Sequence, residues 1–231
     1  MINVVVINGS PRKEKGNTTM ILAPFIEGLT DAGSDVELFY ASQLKIKPCT
    51  CGSMQCWYRS PGECFLKDDM QLLYPKLIAA DILVLATPVY IPLPGDMQNV
   101  INRLCPLIDP YLENRKGRTR ARFRKDVRIQ KIILVSTGGW WEKENFGTVV
   151  RIVEELAEVA SVEFGGAILR PHAFAMKKDG KFTKDGEEIL KAVRRAGNEL
   201  VNYGEMNNET LEMISQPLIS EEDLRSMYNQ L

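Results

Sequence analysis

The chain has 231 residues, enough for one large domain with a proper core, or one domain with an appendage. Its 29 Lys and Arg nearly balance 30 Asp and Glu, so no global field argues for nucleic acid or an acidic membrane as partner. No run reaches the ~18 apolar residues of a membrane span, and Met1 leads into a strand without a basic leader, so a soluble, cytoplasmic protein is expected.

The first predicted strand is the β-branched run Met1–Ile7, apolar enough to be buried on both faces as the centre of a parallel sheet. It opens into Asn8-Gly9-Ser10-Pro11-Arg12 and a polar loop that ends at Gly16-Asn17-Thr18-Thr19. Apolar residues at Ile21, Leu22, Phe25, Ile26 and Leu29 predict a helix over Met20–Leu29, with Asn17 placed to cap it. A loop between strand and helix aims backbone N–H groups, hydroxyls and a helix dipole at one point, which predicts an anion site. The loop has neither Gly-x-Gly-x-x-Gly nor the Lys-Ser/Thr ending of an ATP-binding loop. Hydroxyls without that lysine suit a single terminal phosphomonoester, such as that of FMN, better than a triphosphate.

Asp35–Tyr40 reads as the second strand, followed by a cysteine-bearing loop over 45–67. Asp68 is expected to start a helix with Gln71 completing a capping box, and Met70, Leu73 and Leu77 facing inward. Pro24 and Pro75 lie inside the two helical patterns, so each helix is expected to be kinked or short. Ile82–Thr87 is the third strand; it ends in Pro88-Val89-Tyr90, and a helix carrying Met97, Val100, Ile101 and Leu104 follows. The segment 113–128 holds eight Arg and Lys in sixteen residues and reads as an inserted, solvated loop or a clamp for an anionic reductant or substrate.

Lys131–Thr137 makes the fourth strand, closed by Gly138-Gly139-Trp140-Trp141, and Thr148–Ala160 an amphipathic helix. Val162–Leu169 is the fifth strand, interrupted at Gly165-Gly166, and Glu187–Tyr203 is a last helix stopped by Gly204. His172, the sole histidine, reads as a turn residue. The segment 205–231 is polar with scattered apolar residues, either a flexible tail or a subunit-docking arm. Residues 1–204 thus form one alternating α/β domain: a doubly wound parallel sheet of flavodoxin type, five strands in the order 2-1-3-4-5, with a C-terminal extension.

In such a sheet the ligand belongs at the carboxyl ends of the first, third and fourth strands, where the chain has its unusual loops: Ser10–Thr19, Thr87–Leu93 and Thr137–Trp141. Thr87-Pro88-Val89-Tyr90 offers a stiff turn with backbone amides, Gly138-Gly139 a close main-chain approach, and Trp140 a stacking ring, a set that suits a flavin. Cys49, Cys51, Cys56 and Cys64 fall within sixteen residues. Four such thiolates suit a [4Fe–4S] cluster or a closed zinc site, with free thiols or a redox disulfide as alternatives. Cys105 reads as a small core residue.

Gly-Ser-Pro-Arg with Gly-Asn-Thr, the cysteine loop running into Lys67-Asp68-Asp69-Met70, Ala80-Asp81, Thr87-Pro88-Val89-Tyr90, and Asn102-Arg103 together carry a resemblance covering roughly 1–170. The chain resembles the NADPH-dependent FMN reductase superfamily, and within it the iron–sulfur flavoproteins and their multimeric flavodoxin-like relatives. That resemblance implies FMN, with Ser10, Arg12, Asn17, Thr18 and Thr19 around its phosphate and Pro88, Val89, Tyr90 and Gly138–Trp140 around its ring. It implies a homodimer or homotetramer, and an oxidoreductase that passes electrons from NAD(P)H to a quinone, flavin, metal complex or protein acceptor. The alternative is a non-enzymatic electron carrier fed by ferredoxin. The cysteine spacing departs from the iron–sulfur members: Cys49 and Cys56 are one residue further apart, and Cys51 stands where the second cysteine would be.

Overall fold

A computed structural model describes residues 1–52 and 54–230. In chain order the elements are β1 (Asn3–Asn8), α1 (Asn17–Asp31), β2 (Asp35–Tyr40), α2 (Gln55–Tyr58), α3 (Met70–Ala79), β3 (Ile82–Pro88) and α4 (Gly95–Asn102). Then come β4 (Glu113–Arg115), β5 (Arg118–Arg120), β6 (Lys131–Thr137), α5 (Gly147–Ala160), β7 (Glu163–Arg170), β8 (Lys177–Lys178), β9 (Lys181–Phe182), α6 (Lys184–Tyr203), α7 (Asn208–Ser215) and α8 (Glu221–Asn229).

The central sheet is parallel throughout and runs β2-β1-β3-β6-β7. Counted over all strands this departs from 2-1-3-4-5, because the basic segment contributes β4 and β5 between the third and fourth sheet strands. The alternation of side chains along the central strands sorts them onto two cores. Val5, Ile7, Leu83, Leu85, Ile132 and Leu134 pack with α3, α4 and α5 on one face. Val4, Val6, Val84, Ile133 and Val135 pack with α1 and α6 on the other. Both faces are therefore covered by helices, as a parallel sheet requires.

Pro24 and Pro75 sit inside α1 and α3, which nonetheless run to 15 and 10 residues, so neither proline ends its helix. β7 carries the irregularity expected of Gly165-Gly166: its register slips between Ile132 and Leu134, and Gly166 takes a φ of +103°. That left-handed backbone is the bulge that lets the edge strand re-aim its outer half. Gly204 stops α6 in the left-handed region as expected.

The basic segment is not a solvated loop. Lys116 and Gly117, both at positive φ, turn β4 back on β5 in a tight hairpin, the conformation that matches the twist of paired strands. The remainder buries Ala121, Phe123 and Val127 in the core. The arginines meet carboxylates of α5: Arg118 bonds Glu155 and Glu158 at 3.0 and 2.9 Å, and Arg120 bonds Glu155 at 2.6 Å.

Candidate functional site

The carboxyl end of β1 organises the first loop. Asn8, fully buried, accepts the Ser10 N–H at 2.9 Å through Oδ1 and donates from Nδ2 to the Thr19 hydroxyl at 2.8 Å. Thr19 in turn donates to the Lys13 carbonyl at 2.6 Å. Thr19 is thus a brace across the loop and does not line the site. A Cβ on Gly16 would stand 2.5 Å from Ser10 Oγ, so only glycine lets that hydroxyl sit against the start of α1. Asn17 is not the expected cap. The helix begins one turn position earlier, with Gly16 as its N-cap and no side chain bonding the first N–H groups, and Asn17 is the first helical residue.

The second and third loops are stitched to each other. Val89 N–H donates to the Thr137 carbonyl at 2.9 Å, Gly138 N–H to the Arg170 carbonyl at 3.1 Å, and Tyr90 N–H to the Pro92 carbonyl at 2.9 Å. These amides are therefore engaged within the protein and are not the open donors that the sequence suggested. Thr87 is buried and bonds the Pro88 carbonyl, while its own carbonyl accepts from Ser136 Oγ at 2.8 Å. The buried hydroxyls of Thr18 and Thr137, 2.9 Å apart, tie the helix start to the end of β6.

Between the loops lies a cavity of about 380 Å³. The first loop lines it with Ser10, Arg12, Asn17 and Thr18, and the other two loops with Pro88, Val89, Tyr90, Thr137, Gly138 and Gly139. The first loop thus presents hydroxyls, a guanidinium and a helix start, which suit an anion. The other two loops present a stiff turn, an aromatic ring and glycine backbone, which suit a flat ring. The volume lies within the range of small-molecule sites, ~300–1,000 Å³. Trp140 lines a neighbouring cavity instead, of about 300 Å³.

Two wall residues, Phe174 and Tyr228, were not singled out in the sequence. Tyr228 arrives because the segment after α6 packs on its own chain. Arg170, fully buried, donates from Nη1 to the carbonyls of Ile214 and Gln216 at 2.6 and 2.8 Å, from Nε to Pro171, and meets His172 Nε2 at 3.1 Å. Leu218 N–H also donates to His172 Nε2, at 3.0 Å. Trp141 Nε1 donates to the Ile219 carbonyl at 2.9 Å. Burial, and then the Arg170 charge, push His172 down to about 4, so it is a neutral acceptor. Burial also lowers Arg170, to about 10. The latch offered one sequence signal, an arginine and the sole histidine bracketing Pro171, but its acceptors lie more than forty residues away.

A sequence profile of NADPH-dependent FMN reductases matches residues 2–181. The chain belongs to that family. Among similar members of known sequence, an iron–sulfur flavoprotein of Archaeoglobus fulgidus is 36% identical over 107 residues, 46% of each chain. One of Methanocaldococcus jannaschii is 27% identical over 210 residues, covering 85% of this chain and 94% of that one. In the matches at 30–36% identity the chain spans about half the length of these relatives, 44–59%. Two solved structures share the fold. An NAD(P)H:quinone oxidoreductase from Methanothermobacter marburgensis superposes with TM-score 0.60 at 19% identity, over 86% of this chain and 96% of that one. An FMN-dependent NADH-azoreductase from Bacillus anthracis, solved with FMN, gives 0.59 at 11% identity, over 87% and 100%.

In this member of the family the cysteine loop is held by a buried ion pair. Arg103 grips both oxygens of Asp68 at 2.7 and 3.0 Å and donates to the Lys47 carbonyl at 2.9 Å, with both side chains almost fully buried. Asp68 is therefore not the first residue of α3, which starts at Met70; its Oδ1 accepts the Met70 N–H, and Gln71 bonds the Leu66 carbonyl and completes no capping box. Desolvation acts to raise the Asp68 carboxyl, but Arg103 and the amides of Lys47 and Met70 outweigh it and hold it below the usual range.

Cys49 is exposed, Cys51 intermediate, Cys56 and Cys64 buried. The Gln55 N–H donates to Cys51 Sγ at 3.0 Å. Burial first, then the neighbouring Cys105 thiol hydrogen-bonded to it, push Cys56 up to about 12. Cys105, read from the sequence as a small core residue, is thus also a partner of the cysteine loop. Among the described residues no three Cys, His, Asp or Glu side chains gather as a metal-ligand set. The thiols of Cys51, Cys64 and Cys105 nevertheless all lie near enough to Cys56 to act on its charge.

Proposed function

We propose that the chain is an FMN-dependent NAD(P)H oxidoreductase, delivering electrons to a quinone, flavin, metal complex or protein acceptor. The observation that carries this reading is the cavity at the carboxyl edge of β1, β3 and β6, walled by the hydroxyls and guanidinium of the α1 start and by the turns at Val89–Tyr90 and Gly138–Gly139. FMN, when bound, supplies hydride acceptance from a reduced nicotinamide and onward electron delivery. The protein's part is to bind and orient. Ser10, Arg12, Asn17 and Thr18 hold the phosphate; Thr19 and Asn8 keep the loop in shape; Pro88, Val89, Tyr90, Gly138 and Gly139 form the slot for the ring.

The test is a fluorescence titration of FMN with purified protein, followed by NAD(P)H oxidation with a quinone acceptor. Stoichiometric FMN binding with turnover is expected, and Arg12→Ala should weaken FMN about tenfold, roughly the ~1.4 kcal/mol of one exposed charge-assisted contact. Absence of FMN binding would remove the reading. The electron-carrier alternative draws support from the relatives called iron–sulfur flavoproteins. It would require iron and acid-labile sulfide in the same sample, at about four of each per chain for a [4Fe–4S] cluster.

A further inference from the structure

Tyr228 belongs to two cavities at once. It closes the one described above, and with Trp140, Leu224, Arg225 and Asn229 it lines a second of about 300 Å³ immediately beside it. Its position is fixed from several sides. Phe174 meets it edge to face, ring centroids 6.4 Å apart at 82°. A Cβ on Gly139 would stand 3.4 Å from Tyr228 Oη, so the glycine backbone and the phenol are in near contact. Leu224, the buried residue of α8, anchors the helix, and the Arg170–His172 latch holds the strand of chain that leads to it.

We propose that α8 builds the acceptor side of the site: the chamber between Trp140 and Tyr228 takes a planar, uncharged aromatic acceptor of the quinone class, and Tyr228 determines specificity for it. This rests on the FMN reading for its role in turnover, though not for binding. Two aromatic walls and an aliphatic floor suit a flat apolar ring system. The electrostatics argue against a nucleotide. The cation of the chamber, Arg225, is paired with Glu221 at 3.4 Å, and the first turn of α8 carries Glu221, Glu222 and Asp223, which repel phosphates. The partition residue shared with the flavin-sized cavity places a ligand of the second chamber next to a ligand of the first.

The probe is menadione, a naphthoquinone, titrated by calorimetry into wild type, Tyr228→Ala, Tyr228→Phe and Trp140→Ala, with and without FMN. Trp140 and Tyr228 are both more than half exposed, so their truncation leaves the core intact. We expect each alanine variant to raise the menadione Kd at least tenfold, and Tyr228→Phe to stay within threefold of wild type. In turnover, the kcat/KM ratio of menadione to ferricyanide, which needs no aromatic chamber, should fall about tenfold in Tyr228→Ala. Menadione affinity unchanged in both alanine variants, or lost only in proportion to FMN affinity, would overturn the proposal. If wild type fails to bind FMN, the oxidoreductase reading falls, while the menadione titration of FMN-free protein still decides whether the chamber exists.

Discussion

Two buried cations fix the residues that matter most, and they do so in opposite ways. Arg103 has a carboxylate partner, so its removal strands a charge: Arg103→Leu should cost ~3–5 kcal/mol in urea unfolding, and replacing Asp68 by Leu as well should recover much of that loss. A double variant no more stable than the single one would show that the pair does not act as a unit. Arg170 has carbonyls and one imidazole instead, and burial first, then the Arg170 charge, make His172 sensitive to acid. The imidazole titrates near 6.5 when unfolded and about 4 when folded. Between these values the unfolded chain takes up a proton that the folded chain refuses, so stability falls as pH drops from about 6.5 to about 4 and gains nothing from this group above 6.5. The full span is worth ~3 kcal/mol. His172→Gln, whose amide oxygen can still accept, should flatten the pH dependence in that window; an unaltered slope would reject the assignment. As the chain has a single histidine, one imidazole NMR signal reports the titration directly.

Among elements, the β4–β5 hairpin and the cysteine loop behave differently from their composition. The hairpin and the segment after it read as eight solvated cations, yet Arg118 and Arg120 are matched by glutamates of α5. Such pairs are worth at most ~1 kcal/mol each and are screened by salt, so Glu155→Gln should destabilise modestly, and less at 1 M salt than at 0.05 M. A salt-independent loss would mean the contact acts through packing. In the cysteine loop, reactivity should follow exposure and thiolate character: iodoacetamide at pH 8 should label Cys49 first and Cys56 last, read by peptide mass spectrometry. Equal rates would contradict the burial of Cys56. The pattern of turn residues revealed neither arrangement, because both depend on which helix the sheet order brings alongside.

For the molecule as a whole, the segment after α6 is the decisive piece. Deleting 205–231 removes the acceptors of Arg170, the donor to His172 and the cover of β7 by α7, so it should destabilise by more than ~3 kcal/mol and leave the cavity without Tyr228. A deletion variant as stable as wild type, with unchanged ligand affinity, would make the segment an appendage after all. Much of the rest was legible beforehand. Asp35–Tyr40 and Lys131–Thr137 have in the structure the limits their composition predicts, and α5 and α6 follow their apolar spacing. Asp68 does not begin its helix because a cap is a contest between local and distant partners, and Arg103, which takes its carboxylate, is invisible in the local sequence.

What the sequence determined by itself is local or periodic. Runs of β-branched residues make strands buried on both faces, 3.6-residue spacing makes covering helices, and their alternation forces right-handed crossovers and a parallel sheet, with the loops Ser10–Thr19, Thr87–Leu93 and Thr137–Trp141 at one edge. Only the tertiary structure decided which of those residues face the cavity and which brace it, that Cys56 meets Cys105, and that Tyr228 closes a site begun at Ser10. Contacts across such separations depend on the register of the sheet and on burial of groups like Arg170, whose partners are chosen by the free energy of the whole fold and leave no pattern along the chain.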